Sequence, residues 1–355
     1  MRTWLKRLAV VAVLLALTAG GLWFVRQRQL TQFAQEPFGA KELVTVVIPP
    51  GTGPRGLGQL LAERGVVRDG DLFYRLVRRE KAGPKLKAGE YEFAGPLTPM
   101  DVLERVLSGQ VKVYRFTVPE GLRVDEILPL LLPSGLKLEA AKLAQLTEDP
   151  AFLRKLGVPA RTLEGFLFPD TYTFTRSADE KTVLSKMVAR TLEEYRKADA
   201  ARSPAINLDF MQTLTLASII EKETGAKEER PRISCVFHNR LKRDMKLQTD
   251  PTVLYAMKLL RGQFVKNISL KDLTTDHPYN TYTRKGLPPG PIASPGAQAL
   301  QAALNPIACN DLYFVSRNDG THVFCPTLEC HNAAVEAWQR AFFRKQKKTR
   351  TGKRG

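Results

Sequence analysis

The pattern of apolar and polar positions opens with an uncharged run near the N-terminus. Leu8 to Val25 are 18 residues without a charge, which is just enough to cross a bilayer as a helix. The small residues Ala19 to Gly21 also fit the cleavage site of a secretory signal peptide, and that alternative stays open. Because the run continues through Trp23 and Phe24, where interfacial aromatic residues would lie, we expect an uncleaved single-pass anchor.

Charges on the two sides of this run predict its orientation. Arg2, Lys6 and Arg7 precede it, and basic residues are typical of the cytoplasmic end of a membrane span. Arg26 and Arg28 on the far side reduce the asymmetry. We expect a single-pass protein of the inner (cytoplasmic) membrane, with its N-terminus in the cytoplasm and its folded part periplasmic or extracytoplasmic.

Two segments that lie 70 residues apart each predict a strand, a turn and a helix. Val44 to Ile48 alternates as a strand, and a Pro-Pro-Gly turn and a helix with a leucine stripe follow it. The constant offset suggests a repeated unit, although the same turn chemistry could also have arisen twice. The matching positions are Ile48/Val118, Pro49/Pro119, Gly51/Gly121, Leu57/Ile127, Leu60/Leu130 and Leu61/Leu131.

The segments between and after these units complete a predicted α+β fold. We expect a helix over 71–80, a strand over 87–93 and a helix that begins at Thr98 and Pro99. None of these carries clustered histidines, cysteines or paired carboxylates, so we expect them to bind rather than to catalyse. Polar and aromatic residues become dense from Glu164 onward. The predicted parts are a cytoplasmic N-terminus (1–7), a transmembrane anchor (8–25), a tether (26–43), a small βα module (44–110), a connecting βα segment (111–158), a mostly helical catalytic domain with short strands (159–343) and a basic disordered tail (344–355).

The net charge of the chain raises the question of which polyanion it could bind. The chain carries +18, and its last twelve residues supply seven of these charges, which leaves +11. Such a run often binds nucleic acid. Outside the cytoplasm, however, the available polyanions are lipid head groups, cell-wall polymers and acidic peptides. We therefore expect a solvated tail and no nucleic-acid partner.

Four cysteines are too few for a disulfide scaffold. One or two bridges are permitted outside the cytoplasm, and their pairing does not follow from spacing. A zinc site at Cys325, Cys330 and His331 would need a CxxC-like pair that is absent. We predict neither a metal nor a cofactor.

The stretch LASIIEKETG, residues 216–225, carries the candidate for chemistry. At about 100° per residue, Glu223 falls within the apolar cluster of Leu216, Ile219 and Ile220, whereas Glu221 points more than a quarter turn away. A carboxyl held against apolar neighbours stays protonated and can donate a proton. The alternative is a helix end with Glu221 solvated and Glu223 partly covered.

Two further segments predict a binding surface for sugars. Leu247 to Pro251 forms a polar turn before a helix, and YNTY (279–282) combines aromatic rings with an amide and a hydroxyl. Pyranose rings offer apolar faces to aromatic rings and hydroxyls to amides, although core packing explains the tyrosines equally well. The candidate substrate-binding residues are Glu164, Gln248, Thr249, Asp250, Tyr279, Asn280 and Tyr282.

Glu223 is the one carboxyl predicted on this helix face, and this restricts which type of glycosidic cleavage is possible. Glycoside hydrolases generally use a second carboxylate, and none lies near Glu223 on its face of the helix. Glu164, Asp170 and Asp250 could approach only through the fold. A lyase needs only one carboxyl. The substrate's own C6 hydroxyl attacks the oxocarbenium-like centre, and the same Glu that gave a proton to the leaving oxygen takes one back.

In this order, ASIIEKET, LQTDPTV, YNTY, GLPPGPIASPG, HVF (322–324) and His331-Asn332 resemble the YceG-like family of endolytic murein transglycosylases over nearly the whole chain. The resemblance implies an inner-membrane enzyme with a LysM-like module, matched by residues 44–110. Such an enzyme would cut β-1,4 bonds between MurNAc and GlcNAc in nascent peptidoglycan strands and leave 1,6-anhydroMurNAc ends. It also implies that Glu223 is catalytic and that glycan strands, membrane lipid and peptidoglycan synthases are partners. The cysteines and the basic tail lie outside this resemblance.

Two other functions remain open at this stage. A muramidase that uses water would share the site, and a non-catalytic wall-binding scaffold would use the βα modules alone. Serine or cysteine hydrolysis is disfavoured, because the chain has no GxSxG motif and no cysteine has an evident histidine partner.

Overall fold

The computed structural model describes residues 2–265 and 267–340, so the predicted tail (344–355) lies outside the described residues. The chain divides into two compact units. The first runs to Tyr114 and includes Thr173–Ser177, and the second comprises Arg115–Tyr172 and the chain from Ala178 onward. Most of the segment predicted as a connection, 111–158, therefore belongs to the second unit.

The apolar N-terminal run is part of a longer helix, α1 (Arg2–Gln35). The stretch Val10–Gln35 is long and apolar enough to cross a membrane, and its side chains up to Gln29 are exposed. Beyond the apolar run, Leu30, Phe33 and Ala34 are buried in the core of the first unit. Much of the segment predicted as a tether is thus helical and packed.

The first unit joins a two-stranded sheet to three further helices. Strand β1 (Val44–Ile48) pairs antiparallel with β2 (Gly89–Phe93), with Val44 opposite Phe93. Between them lie α2 (Pro54–Glu63) and α3 (Gly70–Arg79). These two helices approach so closely that a Cβ on Gly58 would lie only 2.3 Å from the Gly70 carbonyl oxygen. Only glycine fits at this position. Helix α4 (Pro99–Ser108) follows, and it starts with the predicted Thr98 cap.

Both strand-turn-helix predictions are confirmed. Strand β3 (Tyr114–Thr117) and helix α5 (Val124–Leu131) form the second copy. Gly51 and Gly121 have φ of 80° and 75° at the two turns, a conformation that glycine adopts without steric cost. The paired apolar residues are buried except for the Leu60/Leu130 pair, of which Leu60 is half-buried and Leu130 exposed.

The second unit is mostly helical, as predicted, and the chain as a whole is a mixed helix and strand fold. Strands β3 and β4 (Thr171–Phe174) form a two-stranded sheet. In the second unit, β5 (Tyr313–Ser316) pairs antiparallel with β6 (His322–Cys325). Its further helices are α6 (Ala140–Leu146), α7 (Pro150–Lys155), α8 (Glu180–Ala200), α9 (Phe210–Glu223), α10 (Arg230–Lys242), α11 (Asp250–Arg261), α12 (Leu270–Thr274), α13 (Ala297–Leu304) and α14 (Leu328–Val335).

All four cysteines are paired in disulfides within the second unit. Cys235 of α10 bonds to Cys309, which lies just before β5. Cys325 at the end of β6 bonds to Cys330 in the first turn of α14. The first bond fastens the segment before β5 to α10, and the second joins β6 to α14.

A candidate active site at the end of a buried helix

Helix α9 brings two carboxylates into the interior. Asp209 caps its N-terminus in a reciprocal capping box with Gln212. Every residue from Thr213 to Ile220 is buried, so α9 is covered all round rather than along one stripe. The helix ends at Thr224, whose backbone is extended.

Glu221 is not solvated. Its side chain is 5% exposed and pairs with the buried Arg230 at 2.5 Å. The backbone N–H of Gly296 donates to the other oxygen of Glu221 at 3.0 Å. The Glu221 carboxylate therefore holds the start of α13 and neutralises Arg230.

Glu223 has a different environment, because its partly exposed side chain opens into a cleft. The pKa of Glu223 is raised to about 7, chiefly by burial and also by the nearby charge of Asp250. The Thr249 hydroxyl, which donates to Glu223 Oε1, and the charge of Arg240 oppose this increase. Near neutral pH the carboxyl thus exists in both protonation states, as an acid that later serves as a base requires.

The turn before α11 places the Thr249 hydroxyl. Thr249 is the residue before the helix and makes no side-chain cap bond, since its hydroxyl donates to Glu223. Its backbone N–H donates to Thr281 Oγ1 at 3.1 Å, and Gln248 N–H donates to the Thr281 carbonyl at 3.2 Å. The YNTY segment therefore holds this turn in place through two hydrogen bonds from the backbone of the turn to Thr281.

The cleft, of about 480 Å³, contains four of the predicted residues: Glu223, Gln248, Asp250 and Tyr282. The Tyr282 hydroxyl donates to Asp250 Oδ1 at 2.6 Å. Thr249, which is 1% exposed, lies in contact with the carboxyl without lining the cleft. The structure thus brings five predicted residues together.

Three predicted residues do not line this cleft. Asn280 is fully buried, and its amide nitrogen donates to the carbonyls of Asp272, Leu273 and Thr275. Glu164 accepts from Val124 N–H at 3.1 Å and from the Tyr255 hydroxyl at 3.3 Å. The Tyr279 ring lies 4.9 Å from that of Tyr255. These contacts hold loops in place and leave none of the three facing the cleft.

The opposite side of the cleft is lined by residues that the sequence reasoning missed. Arg240 of α10 donates from Nε to the Leu312 carbonyl at 2.6 Å and from Nη1 to the Leu247 carbonyl at 2.7 Å. Its guanidinium carbon lies 5.2 Å from the centre of the Tyr313 ring. Arg240 thus joins the two sides of the cleft and leaves positive charge near Glu223.

His322 and His331 complete that side. Both oxygens of the Glu229 carboxylate hold His322, one accepting from its backbone N–H at 2.9 Å and one from ring Nδ1 at 2.6 Å. A carboxylate can only accept, so ring Nδ1 carries the hydrogen. Nε2 makes no hydrogen bond to the described residues. The His331 ring stacks on Tyr313 at 5.2 Å. The HVF and His-Asn motifs were the available signals for these residues.

A carboxyl of raised pKa in a polar cleft lined with tyrosines and histidines is the kind of arrangement that acid-catalysed cleavage of a glycosidic bond uses. The family model of the YceG-like family matches residues 46–337, and the chain belongs to this family.

Known relatives agree with this assignment. The chain is 31% identical to the endolytic murein transglycosylase of Bacillus subtilis, over 84% of this chain and 86% of the relative. It is 32% identical to the endolytic murein transglycosylase of Streptococcus pneumoniae, over 91% of this chain but only 63% of that longer protein. The crystal structure of a yceG-like protein from Listeria monocytogenes matches 83% of this chain and 99% of its own, with 33% identity and a TM-score of 0.54.

Proposed function

We propose that this protein is an endolytic peptidoglycan lytic transglycosylase that cuts MurNAc-GlcNAc β-1,4 bonds in nascent strands and thereby ends their elongation. The observation that carries the proposal is the Glu223 carboxyl, which has a pKa near 7 and contacts the Thr249 hydroxyl at the cleft. The names of the relatives support the same activity.

In the proposed reaction, protonated Glu223 gives its proton to the glycosidic oxygen as the C1–O bond breaks. The departing GlcNAc takes that proton, and positive charge develops at C1 of MurNAc. The C6 hydroxyl oxygen of the same MurNAc then bonds to C1, and the Glu223 carboxylate accepts the hydroxyl proton. The product is a 1,6-anhydro ring, and Glu223 returns to its protonated state without consuming water.

Other cleft residues have roles in this proposal that follow from their contacts. Thr249 orients the carboxyl, and the Tyr282–Asp250 pair presents a ring edge and an acceptor to the sugar. The Glu229 carboxylate fixes the His322 ring so that Nε2 can bond a sugar hydroxyl or amide. For Glu164, Tyr279 and Asn280 we propose support of the loops around the cleft, since their described contacts are with other residues of the chain.

Glu223→Gln tests the assignment. Glutamine keeps the size of the side chain but cannot donate and recover a proton, so we expect a loss of at least about 100-fold in the release of anhydro-ended fragments. The full-length protein in detergent would digest purified glycan strands, with products identified by mass. Glu228→Gln, an exposed change on the same unit, is the control. Normal release by Glu223→Gln would refute the role of Glu223.

A hydrolytic muramidase is the second candidate, because the fold brings Asp250 to the cleft near Glu223. A second carboxylate of this kind could activate water. Hydrolytic products are one water heavier than anhydro products. Asp250→Asn should abolish a hydrolytic product, whereas a lyase would still form the anhydro end.

We further propose that α1 is an uncleaved anchor with its N-terminus in the cytoplasm, and that the enzyme works outside. The two disulfides support this placement, since such bonds persist in oxidising compartments. We propose that residues 44–110, which supply most of the buried core of the first unit, form a LysM-like module that binds glycan. Peptidoglycan synthases are the protein partners that this activity suggests.

A further inference from the structure

A groove in the first unit is lined by four arginines and has no role in the proposed reaction. It lies between α1 and α3 and has a volume of about 590 Å³. We call it the basic groove; it is lined by Trp23, Arg26, Gln27 and Leu30 of α1 and by Tyr74, Arg75, Arg78 and Arg79 of α3. No carboxylate is among these lining residues.

The charges of the basic groove are largely uncompensated. Within the part of the chain that the structure describes, Arg26 and Arg75 form no ion pair, and Arg78 only donates to the Tyr74 hydroxyl at 3.3 Å. Arg79 pairs with Glu80 at 3.0 Å. Arginines placed side by side without an acid repel each other, so the groove favours an anionic ligand.

The position of the groove along α1 determines which anion it can meet. Val25 is the last residue of the uncharged run, Arg26 follows it, and Leu30 is already buried in the first unit. Val25 and Leu30 are about 7.5 Å apart along the helix axis. The head-group layer of a bilayer is roughly 5–8 Å thick on each side, so the groove lies at the depth of the lipid phosphates.

We propose that the basic groove binds the head group of an anionic phospholipid, with its phosphate among Arg26, Arg75 and Arg78 and its glycerol region beside Trp23. A guanidinium group can donate two parallel hydrogen bonds to phosphate oxygens, and tryptophan is enriched at the membrane–water interface. Lipid binding also accounts for basic residues on the outer side of the span, where the charge rule for orientation does not favour them.

Tryptophan fluorescence can measure this binding directly. The chain has three tryptophans, so Trp4→Phe with Trp338→Phe leaves Trp23 as the only reporter. The full-length protein would be placed in bilayers of phosphatidylcholine that contain a small fraction of brominated phosphatidylglycerol or, in parallel, brominated phosphatidylcholine. We expect brominated phosphatidylglycerol to quench Trp23 at several-fold lower mole fraction, because each arginine contributes about a five-fold preference for an anionic lipid.

Matched variants separate the groove from general attraction of charge. Arg75→Gln should lower the preference for phosphatidylglycerol about five-fold, whereas Arg64→Gln, an exposed change elsewhere in the same unit, should leave it unchanged. Equal quenching by the two lipids, or equal effects of the two variants, would overturn the proposal. Loss of the preference in millimolar inorganic phosphate would also overturn it, because the groove would then be a site for free phosphate.

Discussion

At the scale of single residues, two glutamates at the end of α9 show how neighbours decide chemistry. Glu221 and Glu223 are two positions apart, and burial raises the pKa of both. Glu221 faces the buried Arg230, and this partner opposes the effect of burial on the pKa of Glu221. Glu223 contacts a neutral hydroxyl and an open cleft. Glu221 therefore stabilises the fold, whereas Glu223 faces the cleft.

Thr249→Val tests the influence of the hydroxyl on Glu223. The hydroxyl stabilises the carboxylate and lowers its pKa, so its removal should raise that pKa above about 7. Because the reaction starts from protonated Glu223, the alkaline limb of activity should move up by about one pH unit. A pH profile of fragment release measures this. In Thr252→Val, which removes a hydroxyl that does not contact Glu223, the limb should stay in place, and an equal displacement would contradict the assignment.

Glu221→Gln tests the structural role of the other carboxyl. Among the described residues, the change leaves Arg230, which is 3% exposed, with only Glu120 at 3.3 Å as a charged partner. We expect a loss of about 3 kcal/mol in the free energy of unfolding, measured by urea unfolding followed by circular dichroism. Asp276→Asn breaks an exposed pair with Arg284 and should cost less than about 1 kcal/mol. A similar cost for both would show that the buried pair has no special weight.

The sequence singled out Glu223 as the candidate acid, but the predicted surroundings of its helix were wrong. The helical-face argument assumed one apolar stripe, whereas α9 is buried on every side, so periodicity could not distinguish Glu221 from Glu223. Asn280 was expected to bind sugar because amides do so. It is used instead inside its own loop, and such local bonding leaves no sign in residue type or spacing.

At the scale of elements, the helices and turns of the first unit were predictable because their signals are local. Proline, glycine and capping residues mark the boundaries of β1, α2 and α4. The cleft side formed by β5, β6 and α14 was not predictable, because it depends on contacts between distant residues. Arg240 bonds to Leu312, and Cys235 to Cys309, across more than 70 positions.

Removal of the two disulfides should have unequal effects. The Cys235–Cys309 bond joins residues 74 positions apart, and the Cys325–Cys330 bond joins residues only 5 apart. A longer closed loop restricts the unfolded chain more, so Cys235→Ala with Cys309→Ala should cost about 4 kcal/mol and Cys325→Ala with Cys330→Ala about 2 kcal/mol. Urea unfolding of the two double variants compares these values. The reverse order would show that strain or packing outweighs loop entropy.

At the scale of the whole molecule, buried carboxyls link stability to pH. Burial raises the pKa of Glu164 from 4.5 to about 7. The folded state therefore holds a proton that the unfolded chain has released, and stability falls as the pH rises from about 4.5 through about 7.

Glu164→Gln should remove this part of the pH dependence. Glutamine resembles the protonated acid, so the variant should match the wild type at pH 4.5 and exceed its stability by up to about 3 kcal/mol at pH 8. Thermal or urea unfolding across this range measures the difference. Glu148→Gln, an exposed change, should leave the profile unchanged. If Glu164→Gln is also neutral at pH 8, then Glu164 is charged in the folded protein.

Helix α1 runs without interruption from the apolar segment into the core of the first unit, where Leu30 and Phe33 are buried. An unbroken helix transmits both height and rotation at 1.5 Å and 100° per residue. In the proposed membrane-anchored protein, the surfaces of this unit are consequently fixed in azimuth as well as in distance from the bilayer. One residue gained or lost after Val25 during evolution would turn the whole unit by more than a quarter of a circle, so the length of this stretch is under geometric constraint.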